Sequence, residues 1–267
     1  MPGATPNVKT LAINCDMGER PDALLDGTEE RLMQYVTSAN IACGGHAGDV
    51  ASMEKTLQLA RRYNVGIGAH PGYPDRANFG RREMQLSADE IASTVYEQIR
   101  TLADLARRNM CEIVHVKPHG ALYTKASHDA SVADAIAHGV ARLSKDLILV
   151  GFAGSLMIDV WQNLGFRAVG EAFADRVYEP DGSLRSREFD DALTTDPAKA
   201  ARQALTIANE GIVIAHDGTK VKVNARTICI HGDTPGAVAI SRAVRAEYGR
   251  AGVEVTQISS FLEESLS

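Results

Sequence analysis

The sequence contains little cysteine and no long apolar segment. Its 267 residues include four cysteines, which form neither a C-x-x-C pair nor a zinc-finger spacing. Each cysteine lies in or beside an apolar segment, which predicts reduced, buried thiols of a cytoplasmic protein. Residues 1–9 lack the apolar stretch of a signal peptide, and no apolar run is long enough to span a bilayer. We therefore expect a cytoplasmic protein without a membrane partner.

An excess of positive charge is also absent. The 28 Lys and Arg residues are outnumbered by 34 Asp and Glu residues, so nothing favours nucleic acid as a partner.

Common phosphate and nucleophile motifs are missing too. No G-x-G-x-x-G follows the first predicted strand, and neither a Walker A sequence nor a G-x-S-x-G occurs. Hydrolysis by an activated water is therefore favoured over chemistry through an acyl-enzyme.

Short apolar segments alternate with longer helical patterns about seven times along the chain. The predicted strands are residues 10–14, 38–42, 66–69, 113–117, 147–151, 168–171 and 227–231. These strands are too apolar to face water on one side, which indicates a parallel sheet covered by helices. We predict an α/β fold in a single domain of residues 1–267. A distorted (β/α) barrel of about seven parallel strands is favoured over an open doubly wound sheet.

Capping residues indicate where two of the helices begin. Asp49 is placed to cap the helix after the second strand, and Ser87 with Glu90 forms a capping box for a later helix. Two departures from the alternation are also expected. They are an irregular excursion near residues 174–195 and a β-hairpin near residues 212–223.

Residues 115–123, His-Val-Lys-Pro-His-Gly-Ala-Leu-Tyr, bring two histidines and a lysine to one strand end. His115 and Lys117 are two residues apart in a strand, so their side chains lie on the same face of the sheet. Pro118 ends the strand because it has no N–H to donate, and His119 and Gly120 follow in a turn. The alternative is a buried, hydrogen-bonded histidine beside a lysine whose ammonium reaches solvent.

Similar polar groups follow other predicted strands. In barrels and open parallel sheets, ligands bind at the C-terminal ends of the strands. Five of the eight histidines belong to such strand-end motifs. The candidates at the other strand ends are Asp16, Glu19, His46, Asp49, His70, His231 and Asp233.

Each candidate also has a purely structural alternative, because acidic residues before helices often serve as caps and surface ion pairs contribute little. Capping is the alternative for Asp16, Glu19, Asp49, Asp233 and Thr234, and a surface ion pair is the alternative for Asp175 with Arg176. The three remaining histidines are expected to be surface or packing residues. These are His128, His138 and His216.

Clustered His, Asp and Glu side chains can act as general acids or bases near neutral pH. Lys117 and Arg176 can hold a carboxylate or a phosphate, and Arg can do so with two hydrogen bonds. His and Asp at successive strand ends could also ligate Zn²⁺ or Mn²⁺, but no H-x-H or H-E-x-x-H motif supports a particular ligand set. Whether the protein binds a divalent metal therefore stays open, and we assign no residue as a metal ligand.

Five ordered segments together resemble the LamB/YcsF family, and the resemblance extends from about Leu11 to Gly252. The segments are residues 14–19 (NCDMGE), 38–49 (SANIACGGHAGD), 68–75 (GAHPGYPD), 115–123 (HVKPHGALY) and 231–236 (HGDTPG). The sequence departs from the family pattern at Met17, where Leu is commoner, and at Gly45, where Phe is commoner. The second departure is expected to open space near His46.

The family's characterised members are the A subunits of bacterial 5-oxoprolinase. The resemblance therefore implies a barrel like that of glycoside hydrolases and polysaccharide deacetylases. It also implies ATP-dependent opening of 5-oxoproline to glutamate together with partner subunits B and C. ATP would be a co-substrate of the complex, handled largely by the partners because this chain lacks a phosphate loop. On this hypothesis the partners phosphorylate the lactam, and this chain hydrolyses the activated ring.

The resemblance also implies roles for individual residues. Those assigned to catalysis are Asp16, His46, Asp49, His70, Lys117 and His119, and those assigned to substrate binding are Asn14, Glu19, Asn40, His115, Tyr123, Asp175, Arg176, His231 and Asp233. One of the two catalytic aspartates would be the base for water, the histidines would stabilise developing charge, and the lysine would hold a carboxylate or phosphate. Two alternatives stay open: a metal-dependent amide or sugar deacetylase, and a non-catalytic scaffold protein.

Overall fold

The computed structural model describes residues 9–262. The prediction that the chain does not begin with a signal peptide concerns residues 1–9 and lies almost entirely outside the described residues. Among the described residues, no helix combines the length and the apolar character needed to cross a membrane.

Seven parallel strands form a closed barrel, which confirms the predicted fold class. The barrel strands are β1 (Thr10–Met17), β2 (Ser38–Ala42), β3 (Gly66–His70), β4 (Ile113–Val116), β5 (Ile148–Phe152), β6 (Ala168–Phe173) and β9 (Thr227–His231). Strands β1 to β6 follow one another around the barrel, and β9 closes it by pairing with both β6 and β1. Asp16 on β1 lies opposite Asn40 on β2 and His231 on β9, so this register places three polar side chains at one level.

Nine α-helices occur in the described part of the chain. They are α1 (Pro21–Leu25), α2 (Thr28–Met33), α3 (Val50–Arg62), α4 (Ala88–Arg108), α5 (Gly120–Ala126), α6 (Ala130–Ala141), α7 (Leu156–Asn163), α8 (Pro197–Glu210) and α9 (Ala237–Ala251). Both predicted caps are confirmed. The Asp49 carboxylate accepts a hydrogen bond from the Ser52 backbone N–H at 2.8 Å, and Ser87 forms a capping box with Glu90.

Two short helices, α1 and α5, were not predicted. With five and seven residues they are too short to show a helical period clearly. Helix α5 begins at Gly120, which the sequence had placed in a turn, and His119 is its N-cap residue. The motif of residues 115–123 therefore continues directly from β4 into a buried helix.

The segments outside the β–α alternation shape the two ends of the barrel. Strands β7 (Ile212–Ile214) and β8 (Lys220–Lys222) pair as an antiparallel hairpin. Between β6 and α8 the chain is irregular, with single bridges that join Arg176 to Leu193 and Tyr178 to Leu184. The buried Tyr178 hydroxyl accepts a hydrogen bond from the N–H of the last β6 residue, which holds this stretch over the C-terminal end of the barrel.

The C-terminal segment covers the opposite end. Strand β10 (Glu254–Val255) pairs with the start of β1, and a 3-10 helix follows at Ile258–Leu262. Ile258 and Phe261 form a separate apolar cluster with side chains near the N-terminal ends of the strands. Its other members are Ala12, Ile148, Val150 and Val169. The sequence supported no prediction beyond residue 255. The structure shows that this segment closes the barrel at the N-terminal ends of its strands.

Close packing between α4 and α6 generates a prediction about stability. A Cβ on Gly139 of α6 would lie 2.5 Å from the Ala92 carbonyl oxygen of α4. This oxygen belongs to the backbone of α4, so it cannot easily move away. Ala is the better helix former by about 1 kcal/mol, yet we expect Gly139→Ala to lower the free energy of unfolding by about 1–3 kcal/mol. Urea unfolding measures this change.

The matched control is Gly249→Ala in α9, where an added Cβ meets no atom within 4 Å. There we expect unchanged stability or a gain of up to about 1 kcal/mol. Equal effects of the two substitutions would contradict the packing argument.

Candidate active site

A cavity of about 730 Å³ lies at the C-terminal ends of the barrel strands. The last residues of β3, β6 and β9 contribute to its wall, together with residues that follow β4 and β6. The polar and aromatic side chains discussed below that line it are Asp16, His70, Arg81, Lys117, His119, Tyr123, Phe173, Arg176, Arg185, Arg187 and His231. The structure thus brings seven of the fifteen candidate site residues to the wall of one cavity.

Lys117 forms the floor of this cavity and is 3% exposed. Its ammonium nitrogen lies 2.9 Å from Asp16 Oδ1, 3.0 Å from Glu171 Oε1 and 3.1 Å from Cys229 Sγ. Burial disfavours the charged ammonium, but the Asp16 carboxylate outweighs burial and raises the pKa of Lys117 well above its usual value. Lys117 is therefore a cation that two carboxyl groups already engage.

A chain of hydrogen bonds fixes the Asp16 carboxylate. Asn40 Nδ2 donates to Asp16 Oδ1 and to Asn14 Oδ1, both at 2.8 Å, and His115 Nε2 donates to Asn40 Oδ1 at 2.8 Å. Burial lowers the pKa of His115 to about 3, so its ring is neutral. Gly68 on β3 leaves room for this ring, because a Cβ there would lie 2.0 Å from His115 Nε2.

Glu19, His46, His70 and His119 meet beside this network, and we call them the Glu–His cluster. Glu19 Oε1 lies 2.9 Å from His46 Nε2, 3.1 Å from His119 Nδ1 and 3.7 Å from His70 Nε2. The rings of His46 and His119 stack with centroids 3.6 Å apart, and His70 stands edge-on to His119. All four side chains are at most 7% exposed.

Most of the Glu–His cluster has a clear charge state. Burial lowers the pKa of His46 to about 4, and burial also lowers the pKa of His119. Burial opposes ionisation of Glu19, but the adjoining imidazoles of His119 and His46 outweigh it and lower the pKa of this carboxyl group. At neutral pH, Glu19 is therefore a carboxylate between two neutral imidazoles.

His70 differs because its Nε2 lies 3.4 Å from Asp16 Oδ2. Burial disfavours the imidazolium, but the charge of Asp16 and its hydrogen bond outweigh burial and raise the pKa of His70. Burial likewise opposes ionisation of Asp16, while His70 and Lys117 hold its pKa well below the usual range. Asp16 is thus an ionised carboxylate that faces a readily protonated histidine.

Two groups in the described part of the chain have the spacing of metal ligands. One is Glu19, His46, His70 and His119, and the other is Asp16, Cys229 and His231; within each group the ligand atoms lie within 4.8 Å of one another. Burial raises the pKa of the Cys229 thiol well above its usual value, and the Lys117 ammonium lies 3.1 Å from its Sγ, where it would repel a metal cation. The Glu–His cluster holds the better donors.

Asp175, in the irregular stretch after β6, is fully buried. It accepts hydrogen bonds from the His231 backbone N–H at 3.0 Å and from the Thr234 hydroxyl at 2.6 Å, and its Oδ1 lies 3.0 Å from His231 Nδ1. Two structural alternatives are therefore wrong. Asp175 is not part of a surface ion pair, and Thr234 does not cap the last helix, whose N-cap residue is Gly236.

Arginines surround the mouth of the cavity. Asp233 Oδ2 lies 2.5 Å from Arg81 Nη2 and 3.4 Å from Arg187 Nη1, so Asp233 does not cap the last helix either. Arg176 donates from Nη2 to the Arg185 carbonyl oxygen, while its Nε has no hydrogen-bond partner among the described residues. Burial, together with repulsion from Arg187, lowers the pKa of Arg176 to about 10, which leaves it cationic at neutral pH. This guanidinium suits an anionic group in the cavity.

Glu171 and Cys229 were not among the predicted site residues, although both complete the surroundings of Lys117. The Tyr123 hydroxyl donates to Glu171 Oε2 at 2.9 Å, which joins a predicted site residue to a missed one. Glu171 was detectable, because an acidic residue within the apolar segment predicted as a barrel strand is uncommon. Cys229 was not, because a cysteine within an apolar strand ordinarily behaves as a small hydrophobic residue.

Two sequence-based expectations do not lead to the cavity. Asp49 is exposed at the start of α3, where it caps the helix, and it is not among the described residues that line the cavity. The space expected at Gly45 is filled by Gln98, whose amide atoms would lie 2.3–2.8 Å from an added Cβ. Gln98 exchanges hydrogen bonds of 3.1 and 2.7 Å with the Gly72 backbone, so the expectation of open space near His46 is wrong.

Two further predictions concern the three histidines outside the strand-end motifs and the four cysteines. His128, His138 and His216 are exposed, and only His128 of these lies at the cavity edge. All four cysteines are free thiols; three are buried, and Cys111 is partly exposed.

The chain matches the model of the LamB/YcsF family over residues 11–263. It belongs to the LamB/YcsF family. A relative from Chloroflexus aurantiacus, named as the A subunit of 5-oxoprolinase, is 50% identical over 246 residues, which cover 92% of this chain and 97% of that protein. A relative of the same name from Methylococcus capsulatus is 46% identical over 254 residues and covers 95% and 98%.

Solved structures agree with this membership. The structure of a lactam utilization protein from Thermus thermophilus superposes with a TM-score of 0.86 at 41% identity. That match covers 93% of this LamB/YcsF protein and all of the Thermus chain. A structure described as T48 deacetylase with substrate superposes with a TM-score of 0.52 at 18% identity, which shows a shared barrel fold.

The neutral His115 generates a prediction for acid stability. Its pKa is lowered on folding, so its stabilising contribution is complete above about pH 6.5 and is lost as the pH falls toward about 3. We expect His115→Gln, which keeps a donor for Asn40, to reduce the pH dependence of the free energy of unfolding by up to about 1.4 kcal/mol per pH unit between pH 6 and 4. Urea unfolding at several pH values measures this slope.

The matched control is His138→Gln, which removes an exposed histidine. Its slope should equal that of the unmodified protein. A wild-type slope in His115→Gln would show that His115 is not held neutral by the fold.

Proposed function

We propose that this protein is the A subunit of an ATP-dependent 5-oxoprolinase and hydrolyses the lactam of 5-oxo-L-proline to L-glutamate. Support comes from relatives of that name that are 41–50% identical along nearly their full length, and from the lactam utilization protein of the same fold. The observation within the site that carries the proposal is the ionised Asp16 on the cavity floor, held opposite His70 and Lys117.

Asp16 is the base in this proposal. Asn40 and Lys117 hold its Oδ1, while its Oδ2 faces His70, which also lines the cavity. Asp16 takes a proton from water as the water oxygen bonds to the ring carbonyl carbon. The ring C–N bond then breaks, and Asp16 returns the proton to the leaving nitrogen. The Glu–His cluster orients the water and stabilises negative charge that develops on the carbonyl oxygen.

The substrate carboxylate is assigned to Arg176. The ammonium of Lys117 is already engaged by Asp16 and Glu171, so its proposed role is to position Asp16. Arg176 has an unpaired Nε–H, is 7% exposed and lines the cavity. A guanidinium can hold a carboxylate with two parallel hydrogen bonds, which would fix the orientation of the ring.

We further propose that ATP acts through partner subunits B and C in a cytoplasmic complex. Transfer of the terminal phosphoryl group of ATP to the lactam oxygen would release ADP and make the ring carbon more electrophilic, so that water adds to it more readily. Cleavage of the ring C–N bond would then leave an acyl phosphate on the side-chain carboxyl group, and a second water would split it into inorganic phosphate and glutamate. Arg81, Arg185 and Arg187 at the cavity mouth supply positive charge for such an anionic intermediate. These arginines are partly paired with acidic residues, which would let them bind the intermediate and release the product.

The decisive assay is glutamate formation from 5-oxoproline by this chain with and without its candidate B and C partners. We expect glutamate only when all three proteins and ATP are present. Release of inorganic phosphate should follow the same requirement, because the proposal couples phosphoryl transfer to ring opening.

An assembled complex that forms no glutamate would contradict the proposal. The second candidate, a metal-dependent amide or sugar deacetylase, is favoured by the ligand spacing of the Glu–His cluster. Acetate release from N-acetylated substrates by the isolated chain would support it. Tight partner binding without either activity would instead support the scaffold alternative.

Substitution of the two candidate aspartates distinguishes them as bases. We expect Asp16→Asn to lower kcat by about 10²–10⁴-fold, because the amide cannot accept the proton from water. Asp49→Asn should leave kcat near the wild-type value, since Asn caps a helix about as well as Asp. Both variants are assayed in the assembled complex. Wild-type activity in Asp16→Asn would exclude Asp16 as the base.

A further inference from the structure

Backbone carbonyl groups determine which nitrogens carry protons in two histidines of the Glu–His cluster. His70 Nδ1 lies 2.6 Å from the carbonyl oxygen of Lys117, and His119 Nε2 lies 2.9 Å from that of Phe79. A carbonyl oxygen only accepts hydrogen bonds, so both nitrogens carry an N–H. In the neutral rings the lone pairs are therefore on His70 Nε2 and His119 Nδ1.

These two lone-pair nitrogens lie only 3.0 Å apart. Glu19 Oε1 approaches the same point, 3.1 Å from His119 Nδ1 and 3.7 Å from His70 Nε2, and His46 Nε2 lies 2.9 Å from Glu19 Oε1. Electron-pair donors this close repel one another unless a cation lies among them. The arrangement is that of ligands around a shared positive charge.

The spacing matches a particular kind of ion. With bonds of about 2.0–2.1 Å to a tetrahedral zinc ion, neighbouring ligand atoms are about 3.3 Å apart. The three separations among His70 Nε2, His119 Nδ1 and Glu19 Oε1, which are 3.0, 3.1 and 3.7 Å, lie on both sides of this value. Imidazole nitrogens with one carboxylate oxygen form a donor set that suits Zn²⁺.

The surrounding backbone is shaped to hold these rings. A Cβ on Gly80 would lie 2.7 Å from His46 Cβ, and a Cβ on Gly72 would lie 2.9 Å from His46 Nδ1 and 3.2 Å from His119 Cβ. Glycine at both positions therefore lets the two imidazoles stack. Donation of the second ring N–H to a backbone carbonyl, seen for His70 and His119, is also how metal-binding histidines are commonly oriented.

We propose that the Glu–His cluster binds one divalent cation of the Zn²⁺ type through Glu19 Oε1, His70 Nε2 and His119 Nδ1, while His46 Nε2 donates a hydrogen bond to Glu19. Such an ion supplies a Lewis acid at the cavity wall, next to Asp16. The proposal goes beyond the hydrolysis described above, which assigns roles to protein groups alone. The competing explanation is a shared proton, in which a protonated His70 donates from Nε2 to His119 Nδ1.

The test uses the full chain after treatment with a chelator, followed by addition of Zn²⁺, Co²⁺ or Mn²⁺ alone. Calorimetry, and elemental analysis after gel filtration, should both give one ion per chain. The Co²⁺ form should show the intense visible absorption of a tetrahedral site. Since loss of even a residue that supports a ligand weakens metal binding about 10–100-fold, His119→Asn and Glu19→Gln should each weaken it at least about 100-fold.

The matched control is His115→Gln, which removes a buried histidine of the same barrel outside the Glu–His cluster and should leave metal affinity unchanged. Circular dichroism checks that each variant is folded, and Glu19→Gln keeps the side-chain shape if His119→Asn does not fold.

Absence of saturable binding in the folded wild-type chain would overturn the proposal in favour of the shared proton. Equally tight binding in Glu19→Gln would also overturn it. No substrate or partner takes part in these measurements, so the result is separate from the outcome of the 5-oxoprolinase assay.

Discussion

The buried ammonium of Lys117 is the charge on which the arrangement of the barrel interior depends. It stands at the end of β4 and is contacted by Asp16 from β1, Glu171 from β6 and Cys229 from β9. Removal of an ion pair from water costs several kcal/mol per ion, and this cost is offset only when the remaining polar atoms are also paired. The two asparagines and the neutral histidine behind Asp16 provide that pairing, so the polar network and the closed barrel require each other.

The site combines a rigid floor with a mouth built from loops. Strand residues hold Asp16 and Lys117 at fixed positions, as catalytic groups require. The arginines and Asp233 at the mouth lie instead on connecting segments, one of which is held over the barrel by the buried Tyr178. This division suits a site in which a rigid set of reactive groups is reached by substrate through a mouth formed by loops.

The barrel by itself does not identify the reaction. A deacetylase structure shares the fold at 18% identity, and similar barrels can support different chemistries. What distinguishes this chain is the site: a carboxylate kept ionised by its neighbours, an arginine with an unpaired donor, and a cluster of mostly neutral histidines around Glu19. Burial disfavours charge throughout the site, but the nearby Asp16 carboxylate outweighs it and raises the pKa of His70 and of Lys117, whereas burial lowers the pKa of His46.

Local patterns in the sequence were sufficient for the barrel class, for most strand bounds, for the starts of two helices and for the placement of polar residues at strand ends. Periodicity, capping residues and strand polarity are properties of neighbouring residues, so they can be read without a structure. The short helices α1 and α5 and the C-terminal closure of the barrel lacked such patterns. They form because tertiary packing buries them.

Only the tertiary structure decided which polar groups meet. Asp16 and Asp49 both follow strands predicted from the sequence, yet Asp16 pairs with Lys117, 101 residues away, while Asp49 caps a helix in solvent. Glu171 joins the site, and Gln98 fills the space beside Gly45. Spacing along a chain specifies the face of an element on which a side chain lies. The partner across the barrel is specified by strand register and by the free energy of pairing buried charges, which act between residues far apart in sequence.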